Sequence, residues 1–197
     1  IAGTRRAVRL GLTHEGGTSL PDVVPIVAGA VGPLLGGFVA WVLEQARQDD
    51  VKRLYFVARD GQVLHRIGRE LAGDAEDLEL LYLYGSRQAW YLPSVQEATR
   101  PELDFLLQRS QSMAPKDNLR KLHIAPDMIS EALERHGFPP STWDRQLDAK
   151  ETERFWEVLA DPEVVPLVTS NARRAREVTL RYLSQEGLLD DDTWALV

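Results

Sequence analysis

Polar side chains follow two short apolar runs of the sequence, and these residues are the ones best suited to chemistry. Arg59-Asp60-Gly61 comes after the run LYFV, and Ser86-Arg87 comes after the run LELLYLY. A carboxylate can ligate Mg²⁺ or exchange a proton beside a phosphoryl group, and a following glycine lets the backbone turn closely around a ligand. A hydroxyl beside a guanidinium suits phosphate oxygens. The pattern predicts a phosphate site with Asp60 as catalytic and metal-binding residue, and with Arg59, Gly61, Ser86 and Arg87 as ligand-binding residues.

The elements around these residues form a strand–helix–strand pattern. The sequence predicts a strand over Arg53–Ala58, a helix over Gly61–Leu71 with apolar residues at three- and four-residue spacing, and a second strand over Leu78–Tyr84. Tight links between such elements are typical of a βαβ unit with parallel strands. The carboxyl ends of parallel strands meet at one edge of the sheet, so we expect Asp60 and Ser86-Arg87 to be neighbours.

Each of these residues also has an ordinary structural interpretation, which the sequence leaves open. Asp60 opens the sequence Asp-Gly-Gln-Val, which is a good helix start, and its side chain could cap that helix. Ser86 fits an N-cap equally well, Arg87 could pair with a surface carboxylate, and Arg59 could point into solvent. The basic cluster Arg173-Arg174-Ala175-Arg176 is typical of a solvated helix face, although Arg173 or Arg176 would reach an anion if that helix crossed the strand tips. Aromatic residues after the second strand either line a sugar or nucleotide pocket or pack in a core; they are Trp90, Tyr91, Trp143, Phe155 and Trp156.

The sequence predicts an α/β fold with a three-layer, Rossmann-like core of parallel strands and a large all-helical insertion. We expect a lead-in segment over residues 1–25, a core over 26–92 and 188–197 whose final strand is incomplete, and a helical insertion over 93–187. A helix over Val31–Gln48 precedes the first strand, and a long helix over Pro162–Glu186 closes the insertion with Val165, Val168 and Val178 on its inner face.

Composition limits the environment and the partners. The 197-residue chain has a net charge of −7, which argues against broad nucleic-acid or anionic-membrane binding. It has no cysteine, in keeping with a cytoplasmic protein. The apolar stretch Val23–Leu43 is interrupted by Pro25, Pro33 and four glycines, and therefore predicts a buried core helix rather than a membrane span. The chain starts at Ile1, so we expect it to be part of a longer parent protein, with a homodimer also open.

Two stretches of the sequence resemble a group of bacterial predicted hydrolases of the haloacid-dehalogenase (HAD) superfamily, often found with polysaccharide or glycosyltransferase genes. They are GPLLGGFVAWVLEQARQDDVKRLYFVARDGQVL and LYLYGSRQAWYLPS. A working HAD site has the pattern Asp-x-Asp-Gly-Thr, in which the first Asp is the nucleophile and the second the general acid. The resemblance places Asp60 and Gly61 on the second Asp and the Gly, whereas Ala58 stands at the nucleophile position and Gln62 replaces Thr. Ser86 matches the phosphate-binding Ser or Thr after the second strand.

Ala58 has no group that can attack phosphorus, so the resemblance implies a degenerate HAD-like domain. We expect it to bind a phosphate-bearing small molecule, with Mg²⁺ as a possible cofactor, inside a larger protein of surface-polysaccharide metabolism. One alternative is a magnesium-dependent phosphohydrolase of the sugar-phosphatase class that uses Asp60 with residues outside the motif. Another is a non-catalytic interaction domain, in which the apolar helix and the final strand dock on another part of the parent protein.

Overall fold

The computed structural model describes residue 6 and residues 23–73, 77–107 and 114–197 of the chain. These residues form a mixed α/β protein that is mostly helical and contains a three-stranded parallel sheet. The chain divides into two compact units, a sheet unit that runs up to Gly85 and resumes at Asp190, and a helical unit over Ser86–Leu189. The sequence-based boundaries stood at 92/93 and 187/188. The first boundary falls earlier because Leu92, in the helix that follows Ser86, is buried in the core of the helical unit.

The sheet unit contains two helices and all three described strands, namely α1 (Val23–Gln48), β1 (Arg53–Val57), α2 (Gly61–Ala72), β2 (Glu79–Leu83) and β3 (Trp194–Leu196). The strand order is β2-β1-β3, and both pairings are parallel. The register aligns Val57 with Leu83, so β1 and β2 end at the same edge of the sheet. The predicted parallel strand–helix–strand pattern is confirmed. Of the expected lead-in segment, residues 1–5 and 7–22 lie outside the described residues, and 23–25 belong to α1.

β1 is buried on both faces, which explains its continuous apolar sequence. Leu54 and Phe56 lie in a core with α1 and α2, while Tyr55 on the opposite face is also fully buried, with its ring nearly perpendicular to that of Trp194. α2 packs on this strand through its glycine Gly68, which lies against the Phe56 ring. Large residues therefore fill the strand, and a small residue on the helix accommodates them.

Only part of α1 is covered by the sheet unit. Val39, Leu43 and Ala46 are buried at helical spacing in the core. The sequence predicted that this helix is buried in the core. Leu34 and Trp41 are instead 71% and 59% exposed. The helix also begins eight residues earlier than predicted, at Val23 rather than Val31. Among the described residues, no helix is both long and apolar enough to cross a lipid bilayer.

The helical unit contains six described α-helices, namely α3 (Arg87–Ser94), α4 (Arg100–Leu103), α5 (Pro115–Lys121), α6 (Ser130–Arg135), α7 (Ala149–Leu159) and α8 (Val165–Gln185). Three 3-10 turns lie between them, at Asp104–Leu107, Pro126–Ile129 and Pro140–Thr142. The helix predicted over Pro126–His136 is thus a 3-10 turn followed by α6. The helix predicted over Pro101–Arg109 is α4 followed by a 3-10 turn, and residues 108–109 lie outside the described residues.

The helices of this unit enclose a core of their own, and α3 packs against α8. Val168 and Ala172 of α8 are fully buried in it, whereas Val178, predicted to face inward, is 61% exposed. α7 begins with a reciprocal capping box, in which Asp148 accepts from the Glu151 backbone N–H and Glu151 accepts from that of Asp148. Local sequence signals therefore fix where this helix begins, while the buried apolar face decides where it packs.

Candidate functional site

The turn after β1 carries the first group of predicted site residues. Ala58 extends the sheet, since its N–H donates to the Leu83 carbonyl at 2.9 Å, and Arg59 and Asp60 then lie exposed in the turn. Asp60 occupies the N-cap position of α2, but its side chain makes no capping hydrogen bond. Asp60 therefore stands at the predicted cap position, but its side chain does not cap the helix by a hydrogen bond. The carboxylate stands in solvent beside the positive end of the helix dipole.

Gly61, predicted to contact a ligand, is required by packing. It is buried at the first position of α2, and an added Cβ would lie 2.7 Å from the Phe56 carbonyl carbon and 3.1 Å from its oxygen. Both atoms belong to the backbone of the central strand, so neither can move aside cheaply. The close approach of α2 to β1 is sufficient reason for a glycine at this position.

The described residues around Asp60 offer few protein ligands to a magnesium ion. Within residues 23–73, 77–107 and 114–197, no three acidic or histidine side chains come together in an arrangement that could hold a metal. Mg²⁺ needs near-octahedral oxygen coordination, and a single exposed carboxylate supplies one anchor for it. His65, the nearest histidine in sequence, places Nε2 3.1 Å from the Leu80 carbonyl oxygen and packs beside Phe56. For the Mg²⁺ that the HAD resemblance implies, the described residues of this turn would supply the Asp60 carboxylate, and water and a substrate phosphate would have to provide the other oxygens.

Ser86 and Arg87, the second group of predicted site residues, begin the helical unit, whereas Arg59, Asp60 and Gly61 belong to the sheet unit. Ser86 is the N-cap of α3, and its Oγ accepts a hydrogen bond from the Ala89 backbone N–H at 3.1 Å. This is the structural role that the sequence had left open. Arg87 is the first residue of α3, where its exposed side chain lines a pocket within the helical unit.

This pocket, which we call the α3/α5 pocket, has a volume of about 570 Å³. One wall is aromatic, because Tyr91 of α3 stacks on Phe105 with ring centroids 4.6 Å apart and an interplanar angle of 28°. The other described lining residues are polar or charged; they are Arg87, Gln88, Asp117, Arg120, Lys121 and His123. A flat apolar surface beside convergent polar groups is the usual composition of a small-molecule site, and the volume falls within the ordinary range for one.

The residues that line the α3/α5 pocket carry an excess of positive charge. Three cationic side chains line it against one carboxylate, in a chain whose net charge is −7. Arg120 forms an ion pair with Asp117 at 3.0 Å, and Arg87 and Lys121 are the two other cationic residues that line the pocket. In the part of the chain that the structure describes, the Arg87 guanidinium has no hydrogen-bond or ion-pair partner. The pocket therefore offers an anion at least one fully available guanidinium.

Lys121 is held in place by neutral oxygens. Its Nζ donates to the Leu106 carbonyl at 3.1 Å and to the Asn118 Oδ1 at 3.0 Å. Asn118 is itself buried, and its Nδ2 donates to the Ala114 carbonyl at 3.1 Å. Partial burial lowers the pKa of Lys121, because the charged form loses hydration that these neutral partners only partly replace. An anion in the pocket would favour the charged ammonium.

The turn that carries His123 is fixed by α8. His123 has a positive φ of 58°, and the Asn171 side chain donates to the Leu122 carbonyl at 3.0 Å and to the His123 carbonyl at 3.1 Å. Sequence reasoning had named Arg87 and Tyr91 as candidates but not Phe105 or Lys121. No periodic signal joins these residues, which come from segments before and after residues 108–113. A basic pair closing a short helix, followed by a histidine, is the only local hint.

The arginine cluster of α8 does not form an anion site. The Arg176 guanidinium donates to the carbonyl of Pro93 at 2.7 Å and to that of Val95, and so joins α8 to the end of α3. Arg173 and Arg174 are exposed. The solvated-face interpretation holds for these two, and Arg176 is a structural link.

The geometry defines a class of protein rather than a particular one, namely a mixed α/β chain with a cationic, aromatic-walled pocket in its helical unit. No protein-family model matches the chain, and no curated protein gives a significant match to it.

Proposed function

We propose that this chain binds a small phosphate-bearing molecule in the α3/α5 pocket. The observation that carries the proposal is the excess of cationic side chains beside an aromatic wall, in a chain that is otherwise acidic. Isolated cations on a surface are common and mean little. Here Arg87, Lys121 and Arg120 converge on one concave volume that can hold a ligand of small-molecule size.

The chemistry of each wall suggests how the ligand lies. A guanidinium offers a planar fork of donors that matches two phosphate oxygens, and Arg87 has that fork available. The Lys121 ammonium adds a second positive charge, while Tyr91 offers a face on which a sugar or base ring can stack. The ligand class that fits is a phosphate attached to a ring, such as a sugar phosphate or a nucleotide sugar.

The proposed role is binding rather than phosphoryl transfer. By the HAD resemblance, Ala58 stands where such an enzyme carries its nucleophile, and an alanine side chain has no group that can attack phosphorus. The parallel sheet and the helical insertion are compatible with a degenerate HAD-like core. Under this proposal the domain recognises a phosphorylated intermediate within a larger protein of surface-polysaccharide metabolism. The three-layer HAD core and that metabolic setting rest on the sequence resemblance.

The test is calorimetric titration of the chain with inorganic phosphate, a hexose phosphate and a nucleotide sugar. We expect the ring-bearing phosphates to bind more tightly than phosphate alone, and the affinity to fall as salt is added. Arg87→Gln should weaken binding by about 10- to 100-fold, since a hydrogen-bonded charge contributes about 1.5–3 kcal/mol. Arg173→Gln, which removes an exposed arginine outside the pocket, is the matched control and should bind like the wild type.

The variant Asp60→Asn distinguishes ligand binding in the α3/α5 pocket from ligand binding at the turn after β1. Binding that survives Asp60→Asn and weakens with Arg87→Gln supports the α3/α5 pocket. Binding that is lost with Asp60→Asn and retained with Arg87→Gln would move the site to the strand tip and overturn the proposal. So would the absence of any heat from all three ligands at millimolar concentration.

A further inference from the structure

The exposed face of α1 carries a regular line of large apolar side chains. Val27, Val31, Leu34, Phe38 and Trp41 are 45%, 41%, 71%, 42% and 59% exposed, respectively. Their spacing along the helix is four, three, four and three residues, which is the spacing of the a and d positions of a heptad. We call these five residues the α1 stripe. It lies on a different side of α1 from Val39, Leu43 and Ala46, which face the core of the sheet unit.

The part of α1 that carries the stripe is uncharged and rich in glycine. Between Val27 and Trp41 the helix has no charged residue, and it contains Gly29, Gly32, Gly36 and Gly37. A Cβ added at any of these four glycines would meet no described atom within 4 Å. The next positions in the same register are Gln45 and Gln48, which hydrogen-bond to each other at 3.0 Å. The stripe therefore has a defined polar end and no charged neighbour between Val27 and Trp41, whereas Gly29, Gly32 and Gly36 lie on the opposite side of α1.

We infer that the α1 stripe is a homodimer interface, in which α1 of one chain pairs with α1 of a second copy. A heptad stripe is self-complementary, since the same a and d side chains can interlock across a two-fold axis, and the absence of charge removes like-charge repulsion between the copies. Side chains of these sizes present about 150–250 Å² when fully exposed, so their exposed fractions leave roughly 500 Å² per copy and about 1,000 Å² for the pair. That total reaches the lower size range of specific interfaces.

Sedimentation velocity of the chain over about 1–300 µM tests this directly. The expected result is a mass that rises with concentration from the 22.2 kDa chain mass towards twice that value. Leu34→Lys should raise the dimer dissociation constant by about a hundredfold or more, because each dimer loses two buried leucines and gains two facing charges. Val178→Lys is the matched control, since Val178 is similarly exposed on α8, and it should leave dimerisation unchanged.

A disulfide cross-link gives a second, independent measurement. The chain has no cysteine, so Leu34→Cys creates a single thiol. Leu34 is the midpoint of the α1 stripe, and in a two-fold pairing that covers the whole stripe it lies close to the axis and near its own copy. Mild oxidation should convert Leu34→Cys to a covalent dimer much faster than Val178→Cys. A wild-type chain that stays monomeric over the whole range, or a dimer that Leu34→Lys leaves intact, would overturn the inference and assign the stripe to another occupant.

Discussion

Replacing Gly61 by alanine tests whether this glycine serves packing or a ligand. The added methyl group would lie 2.7 Å from the Phe56 carbonyl carbon, whereas ordinary contacts of a Cβ begin near 3.4 Å. The obstructing atoms are backbone atoms of β1, the central strand of the sheet, so relief requires α2 to shift away from the core. Overpacking of this kind costs about 1–3 kcal/mol, and we expect the free energy of unfolding to fall by that amount. Urea denaturation followed by circular dichroism measures it.

Gly36→Ala is the matched control for this prediction. Gly36 lies inside α1, and an added Cβ there would meet no described atom within 4 Å. The same substitution should therefore raise the free energy of unfolding, by roughly 0.5–1 kcal/mol, because alanine loses less conformational entropy than glycine in a helix. Opposite signs at the two positions support the packing explanation. If Gly61→Ala is as stable as the wild type and loses only ligand binding, the explanation is wrong and Gly61 belongs to a binding site.

Two further substitutions test the helical unit. The Glu163 backbone N–H, and then His136 and Arg135, hold the pKa of the buried Asp161 carboxyl below its usual value, so the stability it adds is present at neutral pH and is lost as the pH falls below about 4. Asp161→Asn should therefore flatten the acid limb of stability against pH, and an unchanged limb would contradict this role. Arg176→Met should lower the free energy of unfolding by about 1–3 kcal/mol by leaving two carbonyls without their donor, while Arg173→Met should change it by less than about 0.5 kcal/mol. Equal effects of the two arginine variants in urea denaturation would show that the link to α3 is not important.

The sheet unit could be predicted closely because its signals are local. An apolar run, a helical period and a second apolar run predicted β1, α2 and β2 with ends within one residue of those observed. The burial of α1 could not be predicted in the same way. Its sequence is apolar on several faces, and composition does not tell which face the rest of the chain covers. Leu34 and Trp41 are exposed because the core reaches Val39 and Leu43 instead.

The residues of the candidate pocket could also be predicted only in part from the sequence. Ser86 and Arg87 are adjacent in sequence, yet Ser86 caps α3 while Arg87 lines the pocket, and only the helix geometry separates these roles. Lys121 joins Arg87 through the folding of the helical unit, and no spacing in the sequence encodes that approach. Only half of the aromatic wall was predicted from the sequence, since Tyr91 was among the aromatic candidates and its stacking partner Phe105 was not.

The order β2-β1-β3 has a practical consequence for anyone who wishes to study the sheet on its own. β2 and β3 are the two outer strands of the sheet, with β1 between them. Because all three strands are parallel, the chain must return from the end of β2 to the start of β3 on the other side of β1. A tight turn cannot make that return, which takes a crossover of about a dozen residues or more. Residues 86–189 are thus also the connection that lets β3 exist, and a trimmed version of this protein needs a helix-sized replacement rather than a simple deletion.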